Sequence, residues 1–570
     1  MTTNDMPVRE APFSLLQSDG PDATRPAVRD EPVLAVGNIQ GNLIGFNKDH
    51  QTMIFLRISS IPDFKRWLND LTPFIATAEE VLAFNRLFKS MRLRRKRETR
   101  AVRATWINIA FSYHGLSQLN PEAATFRDGS FRAGLSAQSA SLGDPTDPAH
   151  EGCASNWVVG GPGNEADLVL IVASDDADEL RAEVARLEDT IYAPRTAEGL
   201  LGRSGVQVIH KQHGATLPPP HTGHEHFGFV DGTSQPALRG RLSADDADVL
   251  TLRQNPKNRD QGKPGQDLVW PGEFVFGYPA QDPLGEDPYQ PGEVAQAGPS
   301  WASDGSFLVI RRLRQDVPSF RQFLQSGAVQ VGLDPKVFAA KCVGRWPSGA
   351  PILRASDADN QALGADDCAN NNFVFQRPTD PIHHGFNQSD LDCHDETFVP
   401  SAGDPSGQKC PFGAHIRKVY PRDDVRAAAS MPGYVQPDNA LPLLSAADTQ
   451  THRLLRRGIP FGPAFPPPED GQGADSGDRG LLFVAYQTSI VRQFEFVTQN
   501  WVNNPNFKDG GAGHDPIIGQ NSADPGRARQ FQVPQPNGAA TVTTTTEWVV
   551  PTGGGYFFAP SISALGTLAG

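Results

Sequence analysis

The chain has 570 residues, 38% of them hydrophobic and 20% charged, which fits a soluble globular protein built on two large lobes. Its formal net charge of -14 excludes a general nucleic-acid binder, and no apolar window approaches the length of a membrane span. The 55 glycines and 49 prolines call for long irregular connections, and the five cysteines (Cys153, Cys342, Cys368, Cys393 and Cys410), without CxxC or CxxCH, exclude a zinc ribbon and c-type haem attachment and fit reduced thiols.

Residues 1–35, opening MTTNDMPVREAPF, have no basic start leading into an apolar run and no twin arginine. They are read as a disordered tail, not a signal peptide, so the cytoplasm is the expected location. The first element, TMIFLRISSIPDFKRWL (52–68), is a β-type apolar run, a polar step and an amphipathic helix. Proline suits the first turn of that helix, where its missing N–H would be unpaired anyway. The basic run RLRRKRETRAVR (92–103) is a solvated helix face or hairpin, with a docking patch as the other reading. A second strand and helix follow in DLVLIVASDDADELRAEVARLED from Asp167.

Both units recur later in the same order, as SFLVIRRLRQDVPSFRQFL (306–324) and GLLFVAYQTSIVRQFEFVTQNWV from Gly480. The duplication predicts an α+β protein of two ferredoxin-like halves, each an antiparallel sheet with helices. The first half is placed at 36–236, a linker at 237–269 and the second half at 270–570. Loops are expected at about 279–302, 355–410, 423–448, 464–479 and 508–543.

Chemistry-bearing residues gather in four places. His210, His213, His221, His224 and His226 precede HFGFVDGTSQP (226–236), and several of them have donors for a transition metal, though without a defined tetrahedral spacing. Asp231 closes an apolar run, so it either makes an Asp-Gly turn or does chemistry. His415 stands in KCPFGAHIRKVYPRDD after a tight Cys-Pro-Phe-Gly-Ala segment, where a structural histidine is the plainer reading. Arg456 stands in THRLLRRGIPFGPAF, before an apolar turn where arginine is often a surface ion-pair former.

Together these segments resemble a known family. GFVDG (228–232) is similar to the GxxDG signature of the dye-decolorizing peroxidases. NIQGNL before it and GEFVFGYP, VGRWPSGAP, CPFGAHIRK, RRGIPFGP, GLLFVAYQ and GGGYFFAPSISAL after it appear in the family's order over about residues 36–566. The long chain and its extra loops resemble the larger classes of that family. The resemblance implies one non-covalent b-type haem per chain, lying between helices and the sheet of the second half. It implies His415 as the axial ligand of the haem iron, Asp231 as the distal acid and Arg456 as the distal arginine. His226, Leu481 and Phe483 are expected at the cofactor, the last two as apolar residues walling the distal side. Gly458 stands where some compact members carry asparagine, so no proton relay through that side chain is expected.

The implied activity is reduction of hydrogen peroxide to water, leaving a ferryl haem that oxidises small aromatic donors, anthraquinone dyes and phenolics, or Mn(II), by one-electron steps. Asp231 would move the peroxide's proton and Arg456 would stabilise the developing charge. An aspartate base predicts an acidic optimum. Asp515, in GHDPIIG, is the expected partner of His415, with a backbone carbonyl as the alternative. Trp501, in QNWVNNPNF, is expected to carry electrons from the surface, with a half-buried helix anchor as the alternative. Two rival readings are a haem-handling protein of the same fold with little turnover and a metal-dependent hydrolase built on the histidine cluster. Because SISALGTLAG follows directly on the last family-like segment, no shell-packaging tail is expected.

Overall fold

The computed structural model describes residues 28–95, 102–192, 204–253, 260–282, 290–376, 398–424, 446–465, 477–508, 510–535 and 538–570. In the first half, strand β1 (His50–Ile58) leads into helix α1 (Ile61–Leu71), whose first turn carries the expected proline. Helix α2 (Ala78–Arg95), strand β2 (Thr105–Phe111), strand β3 (Leu168–Ser174), helix α3 (Ala177–Tyr192) and strand β4 (Val206–Ala215) follow, with short helices in the 113–138 connection between β2 and β3. The middle of the basic run at 92–103 lies outside the described residues.

The second half repeats the plan. Strand β5 (Ser306–Gln315) leads into helix α4 (Val317–Val331), capped by the Asp316 side chain, which accepts from the Ser319 amide. Helix α5 (Pro335–Val343), the short helix α6 (His415–Val419), strands β6 (Leu455–Arg456), β7 (Ile459–Phe461) and β8 (Gly480–Gln487) follow. A π-helical segment over Ile490–Glu495 and Val497–Val502, strand β9 (Val549–Ala559) and helix α7 (Ile562–Ala569) end the chain.

Both halves have the same antiparallel strand order, and they join in one sheet, β6-β8-β5-β9-β2-β3-β1-β4, with β7 also paired to β8. The sheet curls until β7 touches β4, where a Cβ on Gly214 would meet the Ile459 side chain at 2.7 Å. This places alternate residues on two buried faces, which is why the strands read as unbroken apolar runs. Met53, Phe55, Val169, Ile171, Leu308 and Ile310 fill the inside of the curl. Ile54, Leu56, Leu168, Leu170, Phe307 and Val309 pack outward under the helices.

Several expectations change. Residues 28–35, placed in the disordered tail, are packed in part, with Glu31 and Leu34 buried; residues 1–27 lie outside the described residues. The 237–269 stretch, expected as a linker, contributes Leu238 and Val269 to the core and forms a short parallel pair, Ala237–Leu238 with Leu268–Val269. Its Arg239 is buried against Glu31 and Asp260, and a buried guanidinium needs such partners. The expected loop at 508–543 contains a hairpin, Arg529–Gln535 with Gly538–Thr544, whose Phe531, Val533 and Val542 pack with Phe320 and Trp548. Cysteines 153, 342 and 410 are free, but Cys368 is disulfide-bonded, which corrects the expectation of reduced thiols throughout. No helix among the described residues is long and apolar enough to cross a membrane.

Candidate active site

A cavity of about 300 Å³ lies on the outer face of the second-half sheet. Strand alternation supplies its floor: Arg311, Leu313 and Gln315 of β5, paired in register with Phe483 and Leu481 of β8 and flanked by Val549 and Pro551 of β9. Phe494, Val497 and Val502 of the π-helical segment close one side, α6 brings His415 to another, and the 225–236 loop brings Phe227, Phe229 and Asp231 across from it.

The loop carrying Asp231 is held tightly. His224 and Val230 bridge across it, the Asp231 amide donates to the Gly223 carbonyl at 3.1 Å, and the Val230 amide donates to the Pro347 carbonyl at 3.2 Å. Gly232 has φ of 80°, and a Cβ there would meet nothing within 4 Å, so this glycine answers a demand of backbone conformation and not of space. Arg456, on β6, is fixed by its amide, which donates to Gln235 Oε1 at 3.2 Å. Its Nη1 donates to Asp231 Oδ1 at 3.1 Å, and the Gly232 amide donates to the same oxygen at 2.6 Å. Burial alone would push the Asp231 carboxyl up, but the Arg456 charge and these hydrogen bonds hold it below its ordinary value.

His415 is placed by its neighbours on α6. Arg417, fully buried, donates from Nε to Asp424 at 2.6 Å and from Nη1 to the Cys410 carbonyl at 2.7 Å, while Lys418 Nζ donates to the Asn504 carbonyl at 2.8 Å. The His415 ring then donates from Nδ1 to Asp515 Oδ2 at 2.7 Å, since a carboxylate can only accept. Asp515 is fully buried, and its other oxygen accepts from the amides of Ile517 at 2.7 Å and Ile518 at 3.1 Å. Burial would lower the imidazole, but the Asp515 charge and hydrogen bond hold it above its ordinary value. Nε2 is left for the cavity that His415 lines.

Asp231, Arg456, His415, Leu481 and Phe483 thus line one cavity, with Asp515 behind His415. Two expected residues do not join them. His226 is buried with Nε2 on the Phe461 carbonyl at 2.8 Å and does not line the cavity, a correction to its expected contact with the cofactor. Trp501 is only 3% exposed and stacks on Phe507 at 5.3 Å, with His452 at 5.2 Å, so it is not a surface residue. The other histidines do not form a metal site: among the described residues no group of three or more His, Cys, Asp or Glu can hold an ion.

Sequence reasoning missed Glu225. Its carboxylate lines the cavity and accepts from the Phe227 amide at 2.8 Å, the Phe229 amide at 2.9 Å and Gln315 Nε2 at 2.5 Å. Burial pushes its carboxyl up to about 7 against those bonds, with Asp231 adding to the rise. The signal was an acid immediately before HFGFVDG, masked by the histidines around it.

Two family models match this chain, the DyP dimeric alpha+beta barrel domain over residues 38–215 and the C-terminal Dyp-type peroxidase domain over residues 411–510. Peroxidase 2 of Mycetinis scorodonius is 32% identical, over 96% of this chain and 90% of its own. The chain belongs to the dye-decolorizing peroxidase family. The peroxidase is also 32% identical to dye-decolorizing peroxidase AauDyP1 of Auricularia auricula-judae, over 94% of this chain and 86% of that one. Among solved structures, an ancestral D-type dye decolorizing peroxidase matches with a TM-score of 0.70 and 32% identity, covering 94% of this chain and 98% of its own. A single-site mutant of the dye-decolorizing peroxidase from Pleurotus ostreatus matches with a TM-score of 0.71 and 30% identity, covering 94% of this chain and all of its own.

Peroxidases of this family are haem enzymes, and the cavity fits that group. Phe229, Leu313, Phe483 and Ile517 give apolar walls, and His415 gives a ring nitrogen. Arg345 lines the cavity at 4% exposure and spends its bonds on the carbonyls of Gly349 and Asn370 and on the Asn371 side chain. No carboxylate pairs with it among the described residues, and burial pushes it down to about 9. A buried cation without an anion is a fitting partner for a ligand carboxylate.

Proposed function

We propose that this peroxidase would hold one non-covalent haem b per chain, with His415 Nε2 to ligate its iron, Leu481 and Phe483 as apolar walls of the site and the buried Arg345 to meet a carboxylate of the group. The observation that carries the reading is the Asp231–Arg456 pair facing, across one cavity, a histidine braced by a buried carboxylate. When bound, the haem supplies the iron at which hydrogen peroxide is reduced and from which organic donors are oxidised one electron at a time.

The chain's own residues then divide the work. Asp231 Oδ1 is occupied by Arg456 and Gly232, so Oδ2 is the atom that takes the peroxide's proton and returns it to the departing oxygen. Arg456 offsets the negative charge that develops as the O–O bond opens. Asp515 fixes the tautomer and plane of His415 and strengthens it as a ligand. Donors are bulky aromatics such as anthraquinone dyes and phenolics, with Mn(II) as a further candidate.

Reconstitution with haem and absorption spectroscopy test this. A histidine-type Soret band is expected, changing within seconds of adding one equivalent of hydrogen peroxide and returning when a dye or phenol is added. A Soret band indifferent to peroxide would sink the catalytic reading, and His415→Ala retaining a normal band would sink the assignment of the ligand.

A further inference from the structure

Past Gly232 and Leu481 the active-site cavity adjoins a second one, also of about 300 Å³, which shares Asp231 and Arg456 with it. Its far wall lies at the mouth of the curled sheet: Lys48 just before β1, Gln51 on β1, and Arg457 and Gly458 between β6 and β7. Gly458 is held to glycine there, because a Cβ would stand 2.6 Å from the Leu482 carbonyl of the neighbouring strand. Hydrogen peroxide needs only a small part of such a space.

The wall is built to receive an acceptor. Gln51 is 6% exposed and its Nε2 has no hydrogen-bond partner among the described residues, a buried donor that proteins rarely leave unmet. Among the described residues Arg457 donates only to the carbonyls of Asn42, Leu43, Ile44 and Arg456, and no carboxylate pairs with it. Burial pushes it down to about 10, which leaves it charged at neutral pH. Lys48 is neutralised by Asp175 at 2.5 Å, with Asp49 and Glu179 in electrostatic reach, and Arg456 by Asp231. The Arg457 charge is therefore the one left over on this wall, beside an unmet N–H donor and opposite the apolar Leu481 and Phe483.

We propose that this second cavity binds a small aromatic carboxylate, a phenolic acid, with its carboxylate at Gln51 and Arg457 and its ring against Leu481 and Phe483. Its use as a donor rests on the peroxidase reading above: two phenolic O–H groups each give one electron and one proton, and one hydrogen peroxide becomes two waters. Binding itself does not require turnover.

Isothermal titration of the haem-loaded protein without peroxide tests the site, with 4-hydroxybenzoate and its uncharged methyl ester as probes. The acid is expected to bind at least about tenfold more tightly than the ester, as a charge met by a buried donor and cation should. Gln51→Glu, which sets a carboxylate against the ligand's own, should cost the acid about tenfold or more and the ester less than about threefold. If Gln51→Glu fails to fold, Gln51→Leu removes the donor at similar volume and should narrow the gap between acid and ester. Equal affinity for the two probes, or an acid affinity indifferent to position 51, would overturn the proposal. A peroxide assay on the same preparation reports separately on the peroxidase reading, whose failure would leave the binding result standing.

Discussion

At Asp231 one oxygen holds Arg456 and the Gly232 amide, which leaves the other for the proton transfer proposed above. Asp231→Asn keeps the shape and removes the base, so the rate of reaction with peroxide should fall by about 10²- to 10⁴-fold with haem content unchanged, measured by stopped flow. The acid limb of that rate belongs to the same carboxyl. In the proposed role it works deprotonated. Against burial, the Arg456 charge and the hydrogen bonds on it hold it below its ordinary value. Reactivity should therefore persist to lower pH than an unperturbed aspartate would allow and be lost only as pH falls through that depressed value. Arg456→Leu removes the charge that opposes burial, so the limb should move to higher pH as well as the rate dropping; a limb that stays put would break the assignment. That Asp231, His415 and Arg456 would meet at one cavity was legible because each sits in a short motif punctuated by glycine or proline. The positions of His226 and Trp501 were not, because they are set by the Phe461 carbonyl and the Phe507 ring, which the chain brings up from far away or from across a turn.

Elements with strong periodicity were equally legible: the two strand–helix pairs appear where their apolar runs and prolines place them. The hairpin at 529–544 was not, because its Gln- and Thr-rich strands carry only alternate apolar residues, Phe531, Val533 and Val542, between glycines that read as loop. The 225–229 turn was half legible, since GFVDG shows its glycines but not the brace. That brace has only donors around it: the amides of Phe227 and Phe229 and the Gln315 Nε2. Glu225→Gln must set an amide N–H against at least one of them, costing about 1–3 kcal/mol of stability. Because Asp231 stands two residues beyond Phe229, the peroxide rate should fall as well, without loss of the Soret band. Thermal unfolding and stopped flow on the same variant check both effects, and an unchanged melting temperature would show that the turn does not depend on Glu225.

Over the whole molecule, the duplication was visible but the closure was not, since no local pattern states that two sheets share an edge. The join between β2 and β9 is thin: in the ladder, Phe111 pairs with Phe558 and no further pair follows. Gln40 fills the gap. Its Nε2 donates to the Ile109 carbonyl at 2.8 Å and to the Pro560 carbonyl at 2.7 Å, and its Oε1 accepts from the Ile109 amide at 2.9 Å. A buried side chain thus stands in for a strand residue between the halves, while α7 packs its Leu565 and Leu568 into the core that α1 covers. If the halves are one cooperative unit, calorimetry of the peroxidase should give a single unfolding transition despite its length, where separate transitions are the ordinary expectation for a chain of this size. Gln40→Leu keeps the volume but strands three buried backbone groups, so it should destabilise by about 1–3 kcal/mol or more and shift that one transition as a whole. Two transitions, of which the variant moves only one, would mean that the active-site half stands by its own packing. The first half would then be an attachment, and Lys48 and Gln51, just before and on its first strand, would reach the second cavity only as long as that weak join holds.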